Sequence, residues 1–167
     1  MGLFRFFEWL GTTSWSIALH ESRYVFLLVL MIHVLTVSVF VGTAVMIDLR
    51  LLGKAMIQVP VSQVVARLVP WSEAGFLVMV VTGSLLFYAA PLTRYENVFF
   101  RMKMAALAMA IVNAWLFRRS AYRRVAEWDL DPVPPRRVRV AGALSLTLLA
   151  VIITTGRMMA YSDYWFG

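Results

Sequence analysis

The sequence predicts an all-α, polytopic membrane protein: a four-helix bundle with short interfacial helices. Three observations predict it. Hydrophobic residues make up 61% of the 167-residue chain, against about 45–50% in a soluble domain. Charged residues are only 15% where about a quarter is usual, and mean hydropathy is +0.76. The apolar residues also fall in four continuous runs of the length a bilayer core about 30 Å thick requires of a helix, without the alternation of a β-barrel. So little polar surface excludes an ordinary soluble domain, a disordered chain and a coiled coil. The absence of cysteine excludes disulfide frameworks, iron–sulfur clusters, thiolate zinc and thiol nucleophiles.

In chain order, residues 1–23 read as an interfacial segment. Leu3, Phe6, Phe7 and Leu10 fall at helical spacing, with Trp9 and Trp15 nearby, the pattern of a helix lying on a membrane face. Glu8 and the lack of a small-residue cleavage site set the segment apart from a signal peptide. Residues 24–161 then form the bundle. The first span runs from Tyr24 to about Ile47, broken only by His33 and small hydroxyl residues. Pro60 to Leu68 places Val61, Val64, Val65 and Leu68 on one stripe, predicting a second surface helix. The second span covers about Trp71–Ala90, with Pro70 at a first-turn position. The third covers about Val98–Phe117 and continues as helix towards Trp128, until Asp131, Pro132, Pro134 and Pro135 end it. The fourth covers about Val138–Tyr161, and residues 162–167 form a short outward tail. Tyr24, Trp71, Tyr88, Tyr161 and Trp165 sit near span ends, as interfacial anchors do.

Lysine and arginine are unevenly shared between the two ends. Ten (Arg50, Lys54, Arg67 and seven arginines between Arg118 and Arg139) fall on one side and six on the other. By the positive-inside rule the connection between spans three and four is cytoplasmic and both termini face outward. The arginine run lacks the aromatic or groove-reading context of a nucleic-acid site, so its partner is the lipid bilayer, by contact with anionic headgroups.

Ionisable groups at membrane depth are costly and mark function. His33, Lys103 and Arg157 are the three candidates, and spacing places all three in the outer half of the bilayer. Thr36, Phe40 and Thr43 share the stripe of His33. Ala106, Ala110, Asn113 and Ala114 share that of Lys103, and Ala143, Thr147, Ala150 and Thr154 lead up to Arg157. Small and hydroxyl residues on one stripe suit close helix packing, so each charged group is expected to face the bundle interior. The alternatives are that Lys103 and Arg157 reach to the interface along their apolar stems and that His33 is a packing residue. As a ligand, neutral imidazole suits heme iron or copper. His20 is thirteen residues earlier, about 20 Å along a straight helix, too far to share a metal unless the chain folds back. A Lys103–Arg157 pair would suit heme propionates or any anionic headgroup. The expected cofactor set is therefore His33, Lys103, Arg157, Thr36 and Asn113, with His33 as the metal ligand. Asp48, Arg50 and Glu73 are expected to form a structural, salt-bridged corner between spans one and two.

The run His33, Gly42 and Asp48-Leu49-Arg50-Leu51-Leu52-Gly53 resembles a family of uncharacterised bacterial four-helix membrane proteins. The likeness continues through Pro70-Trp71, Thr82-Gly83, Phe100-Arg101-Met102-Lys103, Asn113-Ala114, Ser145-Leu146 and Gly156-Arg157, over about residues 20–161. It departs at Arg118, where members often carry a histidine. The first-span histidine, the Arg-Leu exit and the lysine opening span three also look, more distantly, like HemJ-type protoporphyrinogen oxidases and copper-resistance D-type membrane domains. The first resemblance implies heme b and porphyrin chemistry, the second copper handling. The expectation is a bacterial inner-membrane protein holding heme b at His33 for electron transfer, with a quinone or partner subunit, or for porphyrin handling. The alternatives are a cofactor-free accessory subunit of a larger membrane complex and copper handling with nearby methionines.

Overall fold

A computed structural model describes residues 2–161. It contains seven α-helices and no strand among the described residues: α1 Gly2–Gly11, α2 Ser14–Glu21, α3 Arg23–Leu51, α4 Val61–Ala89, α5 Pro91–Glu96, α6 Val98–Arg119 and α7 Arg136–Met158. Helices α3, α4, α6 and α7 with its 3-10 extension to Tyr161 are long and apolar enough to cross a membrane. At 1.5 Å per residue the 29-residue α3 is about 44 Å long. Large apolar side chains stay exposed along these helices, among them Leu35, Leu77, Met109 and Ile153, as expected where the surroundings are lipid tails.

Four boundaries differ from the sequence reading, each for a local reason. The expected surface helix at 60–68 is the first part of α4, which runs through Pro70 without a break. Val61 and Val64 are buried at 0% and 5% exposure, so packing anchors this segment, and proline's fixed φ is itself helical although it removes one hydrogen bond. The segment at residues 1–23, expected as one interfacial stretch, is two helices, because Thr12 and Thr13 turn their hydroxyls back onto the carbonyls of Trp9 and Leu10. Helix α6 stops at Arg119, and residues 122–127 form a 3-10 turn instead of extending the span. The cause is Trp128, which folds back to 5% exposure and packs with Leu51, Val61 and Val138. Between α4 and α6 the short α5 opens on Pro91. The residues expected to form an outward tail, 162–167, lie outside the described residues.

The spans pair as two antiparallel hairpins, α3 with α4 and α6 with α7, joined through α3 and α7. Glycine sets the close approaches. A Cβ on Gly75 would lie 3.4 Å from Phe40, and one on Gly142 would lie 3.1 Å from the Asp48 carbonyl and 3.2 Å from Leu51. The packed stripe of α7 therefore holds Val138, Gly142, Leu149 and Thr155, while Ala143, Thr147, Ala150 and Thr154 face outward.

The most buried part of the molecule lies at the arginine-rich end. Arg50 is fully buried and donates from Nε to the Val59 carbonyl (2.8 Å) and from its two terminal nitrogens to the carbonyls of Asp131 (3.3 Å) and Asp129 (3.2 Å). One guanidinium thus ties the end of α3 to both connections on this side. Asp129 supplies what the start of α4 lacks, since Pro60 offers no side-chain cap. Its carboxylate accepts from the Ser62 backbone N–H (2.7 Å) and hydroxyl (2.6 Å), satisfying exposed helix donors and placing negative charge at a positive helix end. Desolvation pushes the Asp129 carboxyl up, but the Ser62 bonds and the Arg50 charge outweigh it and hold the group below its ordinary value.

The expected corner of Asp48, Arg50 and Glu73 does not form. Arg50 binds carbonyl oxygens rather than carboxylates. Asp48, at 5% exposure, lies near Ser145 of α7, which acts on its carboxyl, while its Oδ2 is buried without a hydrogen-bond partner, and Glu73 pairs with Arg118 of α6 on the exposed surface. The three groups serve three separate contacts. The reason is spacing: Arg50 lies in the last turn of α3, beside loop carbonyls that need donors, whereas Glu73 lies three turns into α4.

Candidate functional site

The opposite end, where α1, α2 and α5 gather, carries the site. His33 lies ten residues inside α3, about 15 Å along the axis. Its Nδ1 is 2.8 Å from the Thr82 hydroxyl of α4. That hydroxyl has one proton and points it at the Val78 carbonyl, 2.7 Å away, so it accepts from His33 Nδ1–H. With Nδ1 donating in this way, a neutral ring carries its free lone pair on Nε2. A hydrogen bond at one ring nitrogen that fixes the other as a donor atom is the usual support of a metal-binding histidine. Gly83 makes room for the ring, since a Cβ there would sit 3.3 Å from His33 Cε1.

Lys103 reaches the same region from the other hairpin. Five residues inside α6 and half-buried, it lies across Gly156 of α7, whose added Cβ would meet Nζ at 3.6 Å. Arg94, on α5 between the hairpins, completes the set. It is half-buried, its Nε is buried without a hydrogen-bond partner, and burial pushes its guanidinium below the usual arginine range. The charges of Lys103 and Arg94 both act on His33, and that of Arg94 acts on Lys103. The sole salt bridge among the described residues is Arg118–Glu73, far along the bundle. Two partly desolvated cations whose charges act on an imidazole, with no ion-pair partner among the described residues, are costly and form a receptor for a negatively charged group.

Aromatic rings cover this end. Phe87 of α4 and Phe100 of α6 stack at 5.4 Å between centroids, Phe7 of α1 meets the edge of Phe87 at 5.4 Å, and Phe7 lies 4.8 Å from Tyr95 of α5. The α6 helix starts here because Asn97 caps it, its side-chain oxygen accepting from the N–H groups of Phe99 and Phe100. That cap fixes where Lys103 emerges.

Of the expected set, Lys103 acts on His33 through its charge, and the others do not join them. Arg157 is exposed, and its guanidinium lies 5.0 Å over the Tyr161 ring while donating to the Tyr161 hydroxyl at 2.9 Å. Its stripe faces outward because Gly142, Leu149 and Thr155 take the packed face of α7. Thr36 is half-buried one turn from His33, with its hydroxyl spent on the Ile32 carbonyl at 2.6 Å. Asn113 lies ten residues beyond Lys103 and donates to the Ala141 carbonyl at 3.0 Å, a tie between α6 and α7. Met102 and Met104 are exposed on α6 at 49% and 45%, away from the packed face that carries Lys103. His20 is exposed on α2 and borders a cavity of about 390 Å³ with Ser16, Glu21, Pro91 and Thr93.

Sequence reasoning missed Arg94 and Thr82. Arg94 reads as one more loop charge, yet the connection from Ala90 to Asn97 is too short to carry it away from the helix ends. Thr82 carried a signal in its depth: a hydroxyl seven residues from the end of α4 is a natural partner for an imidazole ten residues into α3.

A family model, that of a family of unknown function (DUF6644), matches residues 6–162. No curated protein and no solved structure matches the chain. With nearly its whole length covered, and with four helices long and apolar enough to span a bilayer, the chain belongs to the DUF6644 family of unknown function.

Proposed function

We propose that this protein is a small inner-membrane cofactor carrier that binds heme b at the terminal end of its bundle, for electron transfer or porphyrin handling. The observation that carries the reading is that the Thr82-bonded His33 lies within the field of both Arg94 and Lys103. An imidazole whose Nε2 lone pair is left free by Thr82 feels the charge of two cations that have no ion-pair partner among the described residues, one with a buried, unpartnered Nε. A porphyrin with an iron centre and two carboxylates matches that donor set in kind and charge. His33 would hold the iron through Nε2, and Arg94 and Lys103 would hold the propionates; Arg94 takes the role the sequence suggested for Arg157. Bound there, heme supplies a one-electron carrier. The chain's own work is to keep the His33 tautomer through Thr82, neutralise the carboxylates, and keep water out with the Phe7, Phe87, Tyr95 and Phe100 rings. A copper site would have His33 as its single nitrogen donor in this cluster, with Met102 and Met104 on the exposed surface and Met158 and Met159 half-buried at the end of α7, and is the weaker reading.

The arginine-rich end faces the cytoplasm on this account and both termini face the periplasm. The test is the absorption spectrum of the purified protein, oxidised and dithionite-reduced, for wild type, His33→Ala and Arg94→Gln. A Soret band abolished in the first variant and weakened in the second is expected. A colourless wild type would overturn the cofactor assignment in favour of an accessory subunit. Active alkaline phosphatase fused at the C-terminus, and inactive in the 120–135 connection, is the expected orientation.

A further inference from the structure

A second site lies at the arginine-rich end, between the two helices of the α6–α7 hairpin. A pocket of about 200 Å³ is lined by Asn113, Leu116, Ser120, Arg137, Val140 and Ala141, among others. Its walls differ along its depth. Leu116 and Val140 are 51% and 57% exposed, so the lower part opens towards the bilayer. Arg137 stands one turn above Ala141, in the first turn of α7, where Pro135 supplies no side-chain cap. The positive end of that helix adds to the arginine charge. Arg137 has no salt bridge among the described residues. Level with it on α6, the Arg119 guanidinium lies 4.7 Å over the Trp115 ring, and an exposed tryptophan of this kind marks headgroup depth.

We propose that this pocket binds the headgroup of an anionic phospholipid, with the phosphate at Arg137 and an acyl chain along Leu116 and Val140. The charge of the surrounding arginines would attract such lipids anywhere on this face. What distinguishes the pocket is a cation at the mouth of a cleft whose apolar floor continues into the membrane. A free phosphate has no use for that floor, and a neutral lipid has none for the arginine.

The test uses the full-length protein in mild non-ionic detergent, titrated with dioleoyl phosphatidylglycerol or dioleoyl phosphatidylcholine and followed by native mass spectrometry. Retention of phosphatidylglycerol over phosphatidylcholine is expected, weakened about fivefold by Arg137→Gln. Ser120→Leu, which fills the cleft and keeps every charge, is expected to abolish that preference. Arg124→Gln, an exposed arginine that does not line the pocket, is expected to leave it unchanged. Equal weakening by Arg137→Gln and Arg124→Gln would overturn the proposal in favour of diffuse attraction. Equal retention of the two lipids would also overturn it, as would displacement of phosphatidylglycerol by equimolar inorganic phosphate.

Discussion

Replacing Arg50 with methionine removes the one side chain that ties the end of α3 to both connections at the arginine-rich end. Its guanidinium is fully buried and serves three carbonyls, at 2.8, 3.2 and 3.3 Å. Methionine fills much of the volume and none of the hydrogen bonds, leaving the Val59 and Asp131 carbonyls orphaned, the Asp129 carbonyl with only the Val61 N–H, and Asp129 and Asp131 without the cation that acts on them. Losing these charge-assisted bonds and leaving buried acceptors unsatisfied, at about 1–3 kcal/mol each, costs about 3–5 kcal/mol together. For a chain of this length about 2–4 °C of melting temperature follows each kcal/mol, so a fall of about 6–20 °C is expected. Arg50→Lys keeps the charge but offers a point donor in place of a planar fork, and about half that loss is expected. The assay is thermal unfolding in detergent, followed by intrinsic fluorescence, with the exposed Arg67→Met as control at about 0.5 kcal/mol or less. An Arg50→Met melting temperature indistinguishable from that of Arg67→Met would refute the reasoning.

Three further outcomes are expected. The Asp129 carboxyl is held below its ordinary value of about 4 by Ser62 and Arg50 against desolvation. Its contribution is therefore complete above that pH and is lost as pH falls through the depressed folded value. Melting temperature should be flat in this respect above about pH 4 and fall below it, and Asp129→Asn should remove that acid-dependent component. Gly53 sits at φ +68°, and a Cβ there would lie 2.7 Å from the Pro132 carbonyl; Gly53→Ala should cost about 1–3 kcal/mol in the same unfolding assay. Thr82→Val, which removes the acceptor of His33 Nδ1–H, should weaken cofactor retention by about 10- to 100-fold, measured by competition with apomyoglobin, while helix content by circular dichroism stays unchanged.

The sequence declared its spans because lipid imposes a length and a composition that few soluble segments meet. The stripe of His33, Thr36, Phe40 and Thr43 was legible too, and all four are half-buried in the structure. The stripe of α7 was not: threonine and alanine satisfy the small-residue pattern on several faces of that helix, and only the close approach at Gly142 selects one of them. That choice turned Arg157 outward. Arg94 was hidden for a different reason, since the path of a short connection depends on how α1 and α5 pack, through Phe7 and Tyr95. Arg50 illustrates a third limit. Charge pairing suggested carboxylate partners, but its actual partners are backbone carbonyls of residues 59, 129 and 131, and every residue type carries one of those.

The central claim is that His33, fixed by Thr82 and flanked by Arg94 and Lys103, holds heme iron through Nε2. The most direct measurement is the heme content of purified wild type, His33→Gly, and His33→Gly supplied with imidazole. About one heme per chain is predicted for wild type, none for His33→Gly, and recovery of both heme and spectrum when imidazole refills the vacated position. Wild-type protein free of heme, or His33→Gly that keeps the wild-type heme content and spectrum, would contradict it.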